Sequence, residues 1–492
     1  MKLSRRSLLQ SALLLGAVSP LVGCEHLSSE VTRRLGEEVP EKVGAYPGDS
    51  IDPDFHFLSR TTYGCWPGDL DYLKSVGQQH WLEEQLHPDT IDDKACMLRT
   101  RRFETLNLDA GTCYEFKKTA LQDDLVRHAI LTATYSKRQL LEIMVGFWSD
   151  HLNIYSQKAD CIYLKGIDDR AVIRSHALGK FKDLIRASAS SPAMLVYLDG
   201  KENKKSKPSD VPNENYAREL LELHTMGVHG GYSQHDVSEV ARCLTGWRVR
   251  DRWRRGSSYF DLSMHDQSRK KVLGQTIAAL GGSTDLDKVV EIVCKHPSTA
   301  THIATKLVRH FVAEQPPASL VKQVAATFAA TDGDIRSVLT ALFMSDEFRA
   351  SAGQKIKRPM HFVISSLRAT ASDTYAHKPM LEYLSCMGEL PYQHPTPDGY
   401  PDVGRPWLGT LLWRWNFAFA LLNGTIPQTH IPLEQLMSAV PGTVASGGSP
   451  LFSYFIGRNP TSTELFALSK IPAARPDLLV ALILSSPAFQ RY

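Results

Sequence analysis

Asn213 to Trp247 reads NENYARELLELHTMGVHGGYSQHDVSEVARCLTGW, and its first half decides the fold class. At roughly 100° per residue, Asn215, Arg218, Glu219, Glu222 and Met226 fall on one stripe of a helix over 214–226, with Ala217, Leu220, Leu221 and His224 opposite. Asn213 stands where an N-cap is wanted and Gly227 where the chain must leave the helix. The same spacing of apolar residues predicts helices over 138–151, 172–188, 236–244, 298–312, 319–329 and 335–344. Strand-like alternation is scarce, so the expected fold is an all-α, multi-helix globular body with little or no β-sheet.

A chain of 492 residues exceeds the roughly 250–300 at which one core usually stops growing, which predicts sub-bundles over 54–350 and 351–492 or one elongated body. LTALFMSDEFR from Leu339 and LVALILSSPAFQR from Leu479 echo one another as two helix ends that would close such bundles. The formal charge of +3 comes from Lys2, Arg5 and Arg6; past residue 23 the chain holds 53 basic and 53 acidic residues. That balance argues against a nucleic-acid partner.

Ser4-Arg5-Arg6-Ser7-Leu8-Leu9 resembles a twin-arginine export signal, and an apolar run through Val18 follows it. Leu21-Val22-Gly23-Cys24 resembles a lipobox, with Cys24 as the acylated residue. The run is well short of the ~20 residues that span a bilayer. Residues 1–23 are therefore read as a signal peptide and 24–53 as a lipid anchor and polar tether, with 54–492 as the body. The protein is expected at the periplasmic side of the envelope, held to the membrane by acylated Cys24; Glu25 favours the outer membrane. Seven cysteines remain, and no CxxC occurs; buried thiols are the default, with Cys96 and Cys113 the pair an oxidising compartment would join.

NENYAREL, ELHTMGV, GGY and ARCLTGW together resemble the signature of the bacterial family catalogued as domain of unknown function 1800. RTTYG at Arg60, FWSDHLNIY at Phe147, SPAMLVYLDG at Ser191, His265-Asp266 with Lys271 and Gly274, HPSTATHIATKLVRHFV at His296 and the closing SSPAFQRY follow in the family's order. The likeness covers about 54–492. It departs at Asp150-His151-Leu152-Asn153, where relatives more often read Asn-His-Phe-Asn, and no role is carried over to position 150. The resemblance implies an exported protein of uncharacterised activity. It also implies a secreted partner of the domain of unknown function 1501 family, which is often encoded beside it.

Because the polar stripe is part of the motif, the resemblance implies burial against another polar surface. His151 points with the apolar face of its helix, and Thr299, His302, Lys306 and Arg309 form a basic stripe suited to pairing with Glu219 and Glu222. Glu219, Glu222, His151 and Asp266 are the candidate acids and bases, and His151, His224 and His265 the candidate ligands of zinc or iron. Asn213, Asn215, Arg218, Trp247 and Lys271 are the candidate binding residues. The run Trp247 to Arg255, WRVRDRWRR, is a solvated loop or a grip for an anionic glycan. HExxH, GxSxG, phosphate-loop and haem-attachment patterns are missing, and ExxH at Glu84–His87 has no second copy. Two classes survive: a hydrolase or metal-assisted enzyme acting on an envelope or imported polymer, and a non-catalytic scaffold or accessory lipoprotein.

Overall fold

The computed structural model describes residues 29–44, 46, 48–440, 448–472 and 474–492; Arg5, Arg6 and Cys24 lie outside them. Helix accounts for 58% of the chain and short strands for 4%, so the fold is mainly α. The strands form two-stranded antiparallel ladders: Trp247–Val249 with Ser258–Phe260, Lys270–Val272 with Gln275–Ile277, and Asp373–Thr374 with Thr429–His430. No helix among the described residues is long and apolar enough to cross a membrane.

Local chemistry sets the helix ends. Ser233 and Asp236 form a reciprocal capping box at the Gln234–Cys243 helix, Pro297 occupies the first turn of Pro297–Phe311, and Asp334 caps Ile335–Phe343. The Pro297–Phe311 helix packs on Ala318–Ala330, which packs on Ile335–Phe343; Leu411–Leu422 packs on Pro476–Ser485. One buried apolar cluster runs from Val43 to Phe489, so both halves of the chain feed the same core. The sequence echo is real local structure. Ser345 and Ser486 each donate to the carbonyl three residues back and accept from the amide three residues on, seating buried Phe348 and Phe489.

Two expectations need correcting, and the cysteines follow the default of unpaired thiols. From Ser29 onward the expected tether is packed on the body: Ser29 donates to Asp373 (3.1 Å), Glu37 pairs with buried Arg99 (2.6 Å), and the Val43 amide bonds the Ala439 carbonyl (2.9 Å). Its polar composition hid the two apolar anchors, Val43 and Tyr46. The helix expected over 172–188 is broken. A π turn at Asp169–Arg174 is followed by a kink in which Lys180 bridges Asp334, and helix resumes at Phe181–Ala189. All seven described cysteines are free thiols, Cys96 and Cys113 included.

Candidate active site

The signature helix begins as α-helix at Asn215–Glu219 and widens into a π turn over Leu220–Thr225, where the Met226 amide reaches back five residues to the Leu221 carbonyl (2.9 Å). The extra residue in that turn rotates Met226 off the polar stripe and into the core. It also turns the Leu223 carbonyl toward the Pro297–Phe311 helix, where His302 Nε2–H donates to it (3.2 Å). Gly227 closes the turn at φ +81°, and a Cβ there would stand 2.8 Å from His302 Nδ1, so glycine is required twice over.

This contact opens a cleft of about 580 Å³. Asp150 and His151 reach it from the end of the Gln139–His151 helix, and His302, Lys306, Arg309 and His310 from one side of Pro297–Phe311. Arg358 enters from the start of Pro359–Ala369, and Asp398 and Asp402 from the loop that closes the far wall. Gly399 in that loop has φ +74°, and any Cβ would fall onto the Asp150 backbone carbonyl.

Nearly every charge in the cleft is tied down. Arg358 donates to Asp150 (2.6 Å) and through Nε to Glu389 (2.7 Å), whose second oxygen accepts the Met360 amide (2.9 Å). Asp402 accepts from His310 Nδ1 (2.9 Å) and Lys355 (2.8 Å). Burial pushes the Asp402 carboxyl up, but Lys355 and His310 outweigh it and hold the group well below the usual carboxylate range. Behind Asp150, His310 and Arg358 lies a second, smaller cavity of about 80 Å³ lined by Tyr63, Glu142 and Arg174 among others.

Lys306 is the exception. Its amine makes no hydrogen bond or ion pair to any described residue, and burial brings its pKa down to about 8 against the opposing pull of Asp150 and Asp402. Burial, then the Lys306 charge, lowers His302 to about 4 and keeps His151 neutral well below its ordinary range. Arg309 is held only through Nε to the Glu314 carbonyl (3.3 Å), which leaves its terminal nitrogens free for a ligand.

The residues singled out from sequence divide. His151 lines the cleft, but Nε2–H donates to the His224 carbonyl (3.0 Å) and Nδ1 has no partner. Glu219 and Glu222 do not line it and make no ion pair with the basic stripe, because the π turn presents a backbone carbonyl to that helix instead. Glu222 pairs with Arg218 (3.5 Å) on a half-exposed face, and Arg218 also meets Glu214 (3.3 Å). The expected burial of this stripe against another polar surface is thus not what the fold shows. Burial, then the like charge of Glu222, pushes the Glu219 carboxyl up. Glu219→Gln should therefore not lower the free energy of urea unfolding at pH 7 by more than about 0.5 kcal/mol. A loss above ~2 kcal/mol would show that Glu219 holds the fold together.

Asn213 accepts the Asn215 amide (2.9 Å), and Asn215 donates to the Leu198 carbonyl (3.1 Å), so both fasten backbone. His265 is locked between the Thr245 carbonyl (2.8 Å) and Asp285 (3.1 Å), which also takes Lys270 (2.6 Å). Asp266 pairs with Arg242 (2.8 Å); burial raises its carboxyl, and the Arg242 and Ser268 hydrogen bonds more than reverse that. Lys271 uses its backbone amide on Glu239 (2.6 Å). Trp247 packs inside its ladder against Phe260, while Trp253 stands exposed beyond it.

The proposed metal ligands do not converge. His265 is held apart by its own ion cluster, the His151 and His224 rings are 6.3 Å apart at their centres, and no described group of three or more His, Cys, Asp or Glu is placed to hold a metal ion. Of the other cleft residues, His302, Lys306 and Arg309 belong to the basic stripe read from sequence, whereas Arg358, Asp398 and Asp402 come from distant segments, although the run TPDGYPDVG at Thr396–Gly404, with aspartates set among Gly and Pro, carries a signal.

Residues 56–491 match the family described as "Protein of unknown function (DUF1800)", nearly the whole chain and every segment of the cleft. The chain belongs to that family. No curated protein and no solved structure matches it. Membership of DUF1800 therefore fixes kinship and leaves the chemistry to the geometry of the cleft.

Proposed function

We propose that this DUF1800 protein is an exported, lipid-anchored envelope enzyme that hydrolyses an anionic polymer, with Lys306 as its base. The observation that carries the reading is the unpaired Lys306 amine, lowered to about 8, on the wall of a cleft wide enough for a polymer segment. In its neutral form the amine takes a proton from the attacking water; the ammonium so formed returns it to the leaving oxygen. Arg309 offers its free terminal nitrogens to a substrate carboxylate or phosphate. Export by the twin-arginine route and attachment through Cys24, with the outer membrane favoured, rest on the sequence of residues 4–25.

The test is product release from a panel of purified anionic envelope polymers, among them peptidoglycan, lipopolysaccharide and polyuronates, with neutral dextran as control. Release by the wild type and none by Lys306→Met is expected. Silence of the wild type across the whole panel overturns the enzyme reading. It would leave the accessory lipoprotein, serving a secreted partner of the domain of unknown function 1501 family, as the better account.

A further inference from the structure

The Leu411–Leu422 helix, LLWRWNFAFALL, is apolar on both sides apart from exposed Asn416 on the outward one. Phe417, Ala418 and Leu421 are buried in the core. The helix has one charge, Arg414, and it is turned inward: its guanidinium donates to the Lys357 carbonyl (2.9 Å) and to Gln490 (3.0 Å). Outward point Leu412 (62% exposed), Trp413 (40%), Trp415 (44%) and Phe419 (38%), continued by Leu408 from the preceding turn. None of the helix's exposed residues is charged. A surface helix of a soluble body ordinarily shows water a polar face, and an apolar face set with tryptophans is the composition found where a helix lies in a lipid headgroup layer.

The place of the helix in the fold says what covers it. The helix ends seven residues before Thr429, whose strand pairs with Asp373–Thr374. Ser29 is fastened to that same strand by its hydrogen bond to Asp373 (3.1 Å). Cys24 is five residues before Ser29, and five residues of extended chain reach at most roughly 17 Å. A bilayer holding acyl chains on Cys24 therefore lies against this end of the body.

We infer that the exposed face of Leu411–Leu422 is a second membrane contact, seated in the phospholipid headgroup layer beside the lipid anchor. The inference rests on the lipid-anchor reading for its choice of bilayer over protein. Acylation of Cys24 is read separately, from the mass of the N-terminal peptide of the exported protein, so the two fail independently. The contact gives the protein a fixed attitude on the membrane, with an acyl anchor and an apolar helix face bearing on one surface.

The experiment compares full-length Cys24→Ser protein with the same protein carrying Leu412→Glu and Trp413→Glu, which leave the Trp415 hydrogen bond to the Ser485 carbonyl in place. Each is floated with vesicles of phosphatidylethanolamine and phosphatidylglycerol. Both share the leader, so their difference reports the helix face. The double glutamate variant is expected to partition at least ~10-fold more weakly, with an unchanged melting temperature. Brominated lipids should quench tryptophan emission, and Trp413→Phe with Trp415→Phe, a milder pair that keeps the core intact, should abolish most of the quenching. Equal flotation of the two proteins, or quenching that survives the phenylalanine pair, overturns the proposal. So does a change of sedimenting mass in the glutamate variant without a change in flotation, because that result assigns the face to a second copy or another protein.

Discussion

Replacement of Arg358 by methionine is expected to cost the fold ~3–5 kcal/mol in urea unfolding at pH 7, the range seen when one partner of a buried ion group is removed. Arg358 is the single cation joining Asp150 (2.6 Å) to Glu389 (2.7 Å through Nε), and the Glu389 side chain is only 3% exposed. Burial raises the Glu389 carboxyl even with Arg358 present, and the guanidinium opposes that rise. Without it the folded-state pKa climbs further above the unfolded one. A carboxyl raised in this way contributes stability at low pH and loses it as pH rises, so the deficit of the variant should shrink between pH 7 and pH 5. Asp150→Asn is the informative control: asparagine keeps an oxygen for Arg358 and should cost under ~1.5 kcal/mol. A loss below 1 kcal/mol for Arg358→Met, or a deficit that grows on acidification, would show that the group is not the keystone its hydrogen bonds indicate.

What the sequence disclosed and what it withheld follow from the range of the interactions involved. Helices whose apolar spacing is local information, such as 138–151 and 298–312, stand within a residue of where periodicity places them, at Gln139–His151 and Pro297–Phe311. The helical wheel also separated Glu222 from His224 correctly, because both lie within one turn of a common origin. It failed at Met226, where the π turn adds a residue to the repeat and no local propensity announces it. The helix over 172–188 failed for a tertiary reason: Lys180 leaves the helix to pair its backbone with Asp334, more than a hundred residues away. The cleft fared worst. His151 and the stripe of His302, Lys306 and Arg309 are legible in the sequence, whereas Arg358 and Asp402 lie on segments that join them only in the fold, so sequence reasoning pairs the stripe with Glu219 and Glu222 instead. Dense polarity in the signature proved to be fastening, as at Asn213 and Asn215, whose side chains hold backbone rather than ligand.

Lys306→Met and Lys306→Arg are each expected to lower kcat/KM by ~10²–10⁴-fold on whichever anionic polymer the wild type cleaves. Arginine preserves the charge beside Asp150 and Asp402, yet its guanidinium stays protonated at any working pH, so loss in this variant separates proton transfer from binding. The wild-type profile of kcat/KM should rise with pH through about 8, the value to which burial lowers the amine. The same group leaves a trace in stability that needs no substrate. Its folded pKa of about 8 lies below the ordinary 10.5, so between those values the unfolded chain binds more protons than the folded one. Stability therefore rises with pH across that window, while below pH 8 the burial penalty of the ammonium is fully present. Lys306→Met should remove this increment, melting higher than the wild type at pH 7 and drawing level with it near pH 10. An activity profile that stays flat through pH 8, together with equal melting curves for variant and wild type at both ends of the window, would mean the amine is solvated in the working protein, and the base must then be sought elsewhere in the cleft.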